Sequence, residues 1–596
     1  MNTHSHIKRW FASVVLLAAV SSGAFSQQDA ETSPLYVTGI AQTDDGNFMV
    51  TEKGLKQAVL YSPDFEVVKR WSLDDLPTGV VVKGNKAFVT TFGDKPGSVH
   101  FLDLSTGKID QSFVTGSGAN APVVNAAGDK LYVLNRFQGT VSEIDLSNPQ
   151  KMRTVSVLRE PRGAAFDQTG KYLFVTNFLP QQRADLDTVA ACVSVIEIAS
   201  FKKIKDIQLF NGSNALRGIC ASSDGKYIFV THNLGRFQVP TSQLQQGWMN
   251  TSAMSVIDAS TLEYLGAVLL DEPERGAAGI WGIAATPEKL LITHSGTHEV
   301  SVIDYPAFLK KFEQYPDKTK LSYDLMFMNG LRQRVALTGN GPREFVVCGQ
   351  KAIIPTYFSD TLNIVSLTDN NISIKAMQPG RIESRIHNGE KYFNDAVHCF
   401  QGWQSCNGCH PGDARTDGMN WDLMNDGIGN PKNCKSMLYA HVTPPCMISG
   451  IRADAEAAVR AGYKLIQFTD LPEDFACCVD EYLKSLKPVP SPYLENGELS
   501  EKAERGRKVF EKMDCDKCHS GPYYTDMSMH RIGEDVEFEK GWDTPTLIEV
   551  WRTAPYLFDG RAATIEEMLE VHKHGLEKKK ISKKELEELA EYVKSL

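Results

Sequence analysis

Leu173-Phe174-Val175-Thr176, followed by the alternating run Val193-Ser194-Val195-Ile196-Glu197, decides the fold of the N-terminal part of this chain. A short run of β-branched and aromatic residues followed by a period-2 segment is the signature of adjacent strands. The first signal recurs at Phe48-Met-Val-Thr51, Ala87-Phe-Val-Thr90, Leu131-Tyr-Val-Leu134, Ile228-Phe-Val-Thr231, Leu291-Ile-Thr293 and Ala352-Ile-Ile-Pro355, giving seven copies. Most follow a turn with a glycine (Gly46, Gly84, Gly128, Gly170, Gly225, Gly349). Alternating runs reappear at Met254-Ser-Val-Ile-Asp258 and Val300-Ser-Val-Ile-Asp304. The spacing starts near the roughly forty residues of a four-stranded blade and widens where blades four to six carry insertions. The pattern predicts a seven-bladed β-propeller over residues 33–378, the β part of a multidomain β + α chain.

From Gly380 onward the periodicity becomes helical and a second repeat begins. Gly389-Glu-Lys-Tyr-Phe393 precedes Cys406-Asn-Gly-Cys409-His410, and Gly506-Arg-Lys-Val-Phe510 precedes Cys515-Asp-Lys-Cys518-His519. Glu481-Tyr-Leu-Lys-Ser-Leu486 closes the first unit and Glu591-Tyr-Val-Lys-Ser-Leu596 the second, across the linker Lys487-Pro-Val-Pro-Ser-Pro492. The expectation is two tandem all-α cytochrome c domains, at 383–490 and 500–596. Two thiols one helical turn apart can add to the two vinyl groups of one haem, and the adjacent histidine is then the proximal ligand of the iron. Cys406, Cys409, Cys515 and Cys518 are therefore the expected attachment points of two covalent c-type haems, with His410 and His519 as iron ligands.

The sixth ligands decide whether an iron transfers electrons or binds a substrate. Candidates are His441 and Met447 for the first haem, and His530, His572 or His574 for the second. Aligning the two copies sets Thr443-Pro-Pro445 opposite Thr553-Ala-Pro555, Gly450 opposite Gly560, and His441 opposite Trp551, so the two irons are expected to be inequivalent.

The N-terminus carries Lys8 and Arg9, an apolar run from Trp10 to Val20 and the small-residue site Ala24-Phe25-Ser26. This reads as a secretory signal over residues 1–26, hence an exported, periplasmic protein and not an integral membrane protein. A formal charge of −10 argues against a nucleic-acid partner. Of twelve cysteines, eight lie outside the haem motifs, and spacing leaves their pairing open.

The strand motifs of the first part resemble the YVTN family of propellers, which speaks for fold rather than function. In the second part, the tandem Cys-x-x-Cys-His units with Asp543-Thr-Pro-Thr-Leu547, Thr553-Ala-Pro-Tyr556 and Asp559-Gly560 resemble the di-haem cytochrome c peroxidase and MauG superfamily. That resemblance implies a peroxide-reactive haem on His410; His441, a candidate by its position after the first motif, is then the expected outer catalytic residue, since no histidine stands about sixteen residues after His410, where classical members keep one. The resemblance also implies a donor haem on His519, with the second axial ligand falling near His572, a small cytochrome or other carrier as electron donor, and a calcium ion. The chain departs from the superfamily at Phe558, where a histidine is common, and at Ile448, where many members carry a tryptophan. Three activities follow: peroxide reduction, MauG-like oxidation of a partner protein or organic substrate, and electron transfer with the propeller as adaptor.

In the propeller, Arg162, Arg217 and Arg343 fall at the start of innermost strands and are expected to ring the channel mouth. Loops with His232, Arg236, Phe237, Trp248, His294 and His298 are expected to open on the same face. Such a face suits an anion, a haem propionate or an acidic partner, and is expected to turn towards the di-haem unit.

Overall fold

The computed structural model describes residues 33–238, 249–423, 431–532 and 539–596; the leader read at 1–26 and Trp248 lie outside them. Strands from Val37 to Ala376 form seven antiparallel sheets, one per predicted repeat, each built from consecutive strands. The propeller is thus seven-bladed. All seven signals fall on the second strand of a blade, for example Tyr172–Asn177 and Tyr227–Gly235. These strands are buried on both faces because each blade packs against its neighbours, so they read as continuous apolar runs rather than alternating ones. The fourth strands, such as Val67–Ser72 and Lys108–Val114, are mostly exposed and carry the charges.

The recurring threonine ties blade to blade. Thr293 Oγ1 accepts from Gly282 N (2.9 Å) in its own blade and donates to Arg343 O (2.7 Å) in the next. Thr231 makes the equivalent pair with Gly218 N and Trp281 O. The glycines are required by the same contact: a Cβ on Gly163, Gly218 or Gly282 would lie 2.5–2.6 Å from the neighbouring blade's carbonyl at Arg217, Trp281 or Arg343. The ring closes through side chains, Leu35, Val37 and Ile40 packing on Ile353 and Leu362, and through Leu35 N donating to Asp360 Oδ1 (2.9 Å).

The C-terminal part holds two helical units of like construction. In the first, α1 (Arg385–Asn394) crosses α3 (Glu473–Ser485), with α2 (Ala455–Leu465) alongside; in the second, α4 (Glu501–Lys512) crosses α5 (Lys583–Lys594). Both crossings are glycine contacts. A Cβ on Gly389 would meet Cys478 O at 1.9 Å and Tyr482 Cβ at 2.8 Å; one on Gly506 would meet Glu588 O and Tyr592 Cβ at the same two distances. The predicted correspondence between the units also appears in the backbone, where Gly450 and Gly560 both take positive φ (61° and 63°). No described helix is long and apolar enough to cross a membrane.

Candidate functional site

The two Cys-x-x-Cys-His segments open on one shared cavity of about 480 Å³, lined by Cys406, Cys409, His410, Cys515, Cys518 and His519. Both histidines are held alike. His410 Nδ1 lies 3.1 Å from Arg415 O and 3.0 Å from Lys435 O, and His519 Nδ1 lies 3.1 Å from Tyr524 O. In each copy one acceptor is the carbonyl five residues on, which fixes the tautomer and leaves Nε2 as the nitrogen able to bind a metal. Burial pushes both imidazoles below the usual range and keeps them neutral. Burial likewise raises the Cys406 and Cys515 thiols to about 11.

His574, not His572, faces His519. Their ring centroids lie 6.4 Å apart, while two imidazoles sharing one metal ion at about 2.0 Å per bond would have centroids roughly 6 Å apart. Burial first, then the adjacent His519, lowers His574 to about 4. The expectation for His572 is corrected: its Nε2 is engaged with Arg561 O (3.1 Å) and it does not line the cavity. His530 is tied to Asp526 (2.7 Å). Among the described residues, the group of His, Cys, Asp or Glu donors close enough to share an ion is Cys518, Asp526 and His530. That mixed set differs from the all-oxygen shell that calcium takes.

On the His410 side, His441 also lines the cavity. Its Nε2 is 3.1 Å from Asp480 Oδ1, and Arg460 Nη1 donates to Asp480 Oδ2 (2.5 Å). Burial alone would raise Asp480, but the bonds from His441 and Arg460 lower it. Nε2 of His441 thus faces a carboxylate oxygen, and among the described residues the buried Nδ1 of His441 has no hydrogen-bond partner. Trp551, in the equivalent place of the second unit, turns away to meet Phe137 of the propeller edge-on (5.5 Å).

Sequence reasoning missed Cys434, which lines the cavity with its Sγ 3.1 Å from Cys409 O and 3.5 Å from His410 Nδ1; no spacing rule marks it. It also missed a buried chain of alternating charge. Arg136 and Arg552 both pair with Glu160 (2.7 and 3.1 Å), Arg552 pairs with Glu549 (2.9 Å), and Glu549 pairs with Arg415 (2.7 Å). This chain runs from the propeller through the second unit to the residue whose carbonyl holds His410.

The channel mouth of the propeller turns towards the helical units: Arg159 Nη1 donates to Ala554 O (2.7 Å) and His298 Nε2 lies 3.1 Å from Asp395 Oδ1. Two ligand-face expectations are corrected. His232 and His294 are fully buried inside blades. His232 bonds Asn233 O (2.9 Å) and Ser255 Oγ (2.7 Å), and His294 bonds Ala277 O and Ser301 Oγ (both 2.8 Å). Burial drops both to about 4, so they are neutral struts. Arg162, Arg217 and Arg343 do gather in the channel, stacked on aromatic rings.

Fold and site together define a seven-bladed propeller packed on two like helical units whose Cys-x-x-Cys-His segments share one cavity. No family model matches the chain. Among curated proteins it is similar to hydrazine synthase subunit gamma of Kuenenia stuttgartiensis, 27% identical over 35% of this chain and 77% of that protein. It is also similar to hydrazine synthase subunit beta of the same organism, 25% identical over 38% of this chain and 58% of that protein, less than two thirds of its length. Among solved structures, a chain of Kuenenia stuttgartiensis hydrazine synthase superposes with a TM-score of 0.51 at 20% identity, covering 59% of this chain and 99% of that one, a likeness of fold.

Proposed function

We propose that this chain is a di-haem c-type cytochrome acting as a redox component of the hydrazine synthase kind, joining in one polypeptide counterparts of that enzyme's beta and gamma subunits. The observation that carries it is the twofold repetition of one donor set: two thiols and a carbonyl-anchored, neutral histidine, both sets on one cavity. Cys406, Cys409 and His410 would hold one haem, and Cys515, Cys518, His519 and His574 the other. Bound there, haem supplies one-electron chemistry. The chain's residues do the rest. Arg415 O and Tyr524 O orient the imidazoles, and burial holds them neutral. A saturated pair, His519 and His574, suits electron transfer, whereas the His410 side keeps room for a reactant beside His441. Support for a redox role comes from the two curated relatives, whose names denote subunits of one synthase.

Peroxide reduction is the second reading, favoured by the buried, partner-free Nδ1 of His441, which can take a proton from a reactant in the cavity. In it, Cys515, Cys518 and His519 would hold the haem that receives electrons from a small donor cytochrome, and Cys406, Cys409 and His410 the haem beside the reactant. A pyridine haemochrome assay is expected to give two haems per chain that acid-acetone does not extract, with one lost in C406S/C409S. One haem or none in the intact protein would overturn the proposal. Rapid reoxidation of the reduced protein by hydrogen peroxide, abolished in His441→Ala, decides for the second reading; reoxidation unaffected by the substitution removes it.

A further inference from the structure

The propeller channel contains more buried positive charge than its acids balance. Phe178 is flanked by three guanidinium groups, with the Cζ atoms of Arg136, Arg162 and Arg217 at 5.3, 5.7 and 5.5 Å from its centroid. Trp281 lies between Arg217 (4.6 Å) and Arg343 (4.2 Å), and Arg343 also stacks on Tyr357 at 3.6 Å. Arg136 is neutralised by Glu160. The other three arginines form no salt bridge among the described residues. Arg217, only 4% exposed, spends Nη1 on Ala215 O (3.3 Å) and Ile280 O (3.5 Å); its Nε and that of Arg343 are buried with no partner.

The acids facing this cluster are Glu344, which feels Arg162 and Arg343, Glu390, which acts on Lys53 and Tyr357, and Asp413, whose charge is shared among Lys53, Arg136, Arg552 and Arg162. Set against Lys53, Arg162, Arg217 and Arg343, they leave an excess of one positive charge. Burial and the neighbouring arginines push Arg162 and Arg217 down to about 9, still well above neutrality, so both stay charged. Arg217 is the buried one of these cations, and an unpaired buried charge is strongly unfavourable. Such a cluster is stable when an anion completes it, and guanidinium forks match the edge of an oxyanion.

We propose that the propeller channel is a binding site for a small oxyanion, held by the forks of Arg162, Arg217 and Arg343 and walled by Phe178, Trp281 and Tyr357. Entry is open: Lys53, Arg162, Trp281 and Arg343 keep partial exposure and Glu344 and Asp413 are exposed. Asp413, three residues after His410, interacts with Lys53, Arg136 and Arg162, so the channel adjoins the turn that follows the first Cys-x-x-Cys-His segment.

The test is titration calorimetry on the intact, haem-loaded protein in chloride-free buffer, with nitrate and acetate as probes and thermal unfolding alongside. One site per chain is expected, with a rise in unfolding temperature and an affinity at least tenfold weaker in Arg217→Gln and Arg162→Gln. Binding of nitrate alone assigns an inorganic oxyanion, and binding of acetate assigns a carboxylate. Arg162 is partly exposed, so if Arg217→Gln does not fold, Arg162→Gln carries the comparison. No binding of either probe, or equal binding by the folded variants, overturns the proposal.

Discussion

Replacing Glu160 with glutamine should loosen the propeller from the helical units by an amount that depends on pH. Glu160 Oε2 accepts from Arg136 Nε (2.8 Å) and Oε1 from Arg552 Nε (3.1 Å), with all three side chains 2–7% exposed. Burial alone would raise the Glu160 carboxyl, but Arg552 and Arg136 hold it at about 2, against an ordinary 4.5. At 1.36 kcal/mol per unit, that depression is worth about 3 kcal/mol at neutral pH. Breaking a buried ion pair by removing one partner costs about 3–5 kcal/mol, so the two routes agree. A depressed carboxylate contributes stability that is present above its unfolded value and lost as pH falls from about 4.5 towards 2. The deficit of Glu160→Gln against wild type should therefore be largest at pH 7, shrink steadily through pH 4 and 3, and be nearly gone only below about pH 2.

The assay is urea unfolding at pH 7, 4 and 3, comparing the same transition in both proteins, since a chain of several units need not unfold in one step. Proteolysis at the junction gives a second readout. A variant as stable as wild type at pH 7 would refute the reasoning, and so would a deficit that does not change with pH.

Two further outcomes are expected. His574→Ala should convert the haem on His519 from a low-spin to a high-spin spectrum, whereas His572→Ala should leave it unchanged; the reverse would restore the position counted from Gly560. Gly506→Ala places a methyl group 1.9 Å from Glu588 O, so α4 and α5 must separate, and the strain should outweigh the helix propensity gained, destabilising the second unit by about 1–3 kcal/mol or more, read as a lower unfolding temperature.

What the sequence made legible follows from what repeats. The second strands were visible because burial on both faces demands a continuous apolar run, and the threonines because each bridges two blades. The glycines of the helix crossings showed for the same reason, since Gly389 and Gly506 admit a backbone carbonyl that no side chain would tolerate. Residues whose partners are remote left no mark: Glu160 and Arg552 are 392 positions apart, Arg415 and Glu549 134. The histidines failed through local geometry. Counting from Gly560 missed His574 because Lys573 takes a left-handed turn (φ 51°), reversing the chain within two residues. His232 read as a loop residue because nothing in composition reveals that its strand runs on for nine residues, Tyr227–Gly235.

That extra strand length gives the widened repeat its purpose. Tyr227–Gly235 pairs along its whole length with Asn250–Asp258, extending the fifth blade beyond an ordinary one. The residues at the far end touch the first Cys-x-x-Cys-His segment: Asn250 Nδ2 lies 3.2 Å from Cys409 Sγ, Asn233 Nδ2 3.5 Å from Gly408 O, and Met249 packs with Met419 and Trp421 against Cys409 and Cys434. A blade insertion serving only as a surface loop would end in solvent, yet Met249 is fully buried and Asn233 and Asn250 are 6% and 5% exposed. The His410 side of the cavity is therefore built partly from the propeller, through this hairpin and through the Arg136–Glu160–Arg552–Glu549–Arg415 chain. The His519 side is enclosed by residues of the helical units. Among the described residues, one of the two like units rests a motif thiol on the propeller, a difference in surroundings that adds to the one expected from His441 and Trp551.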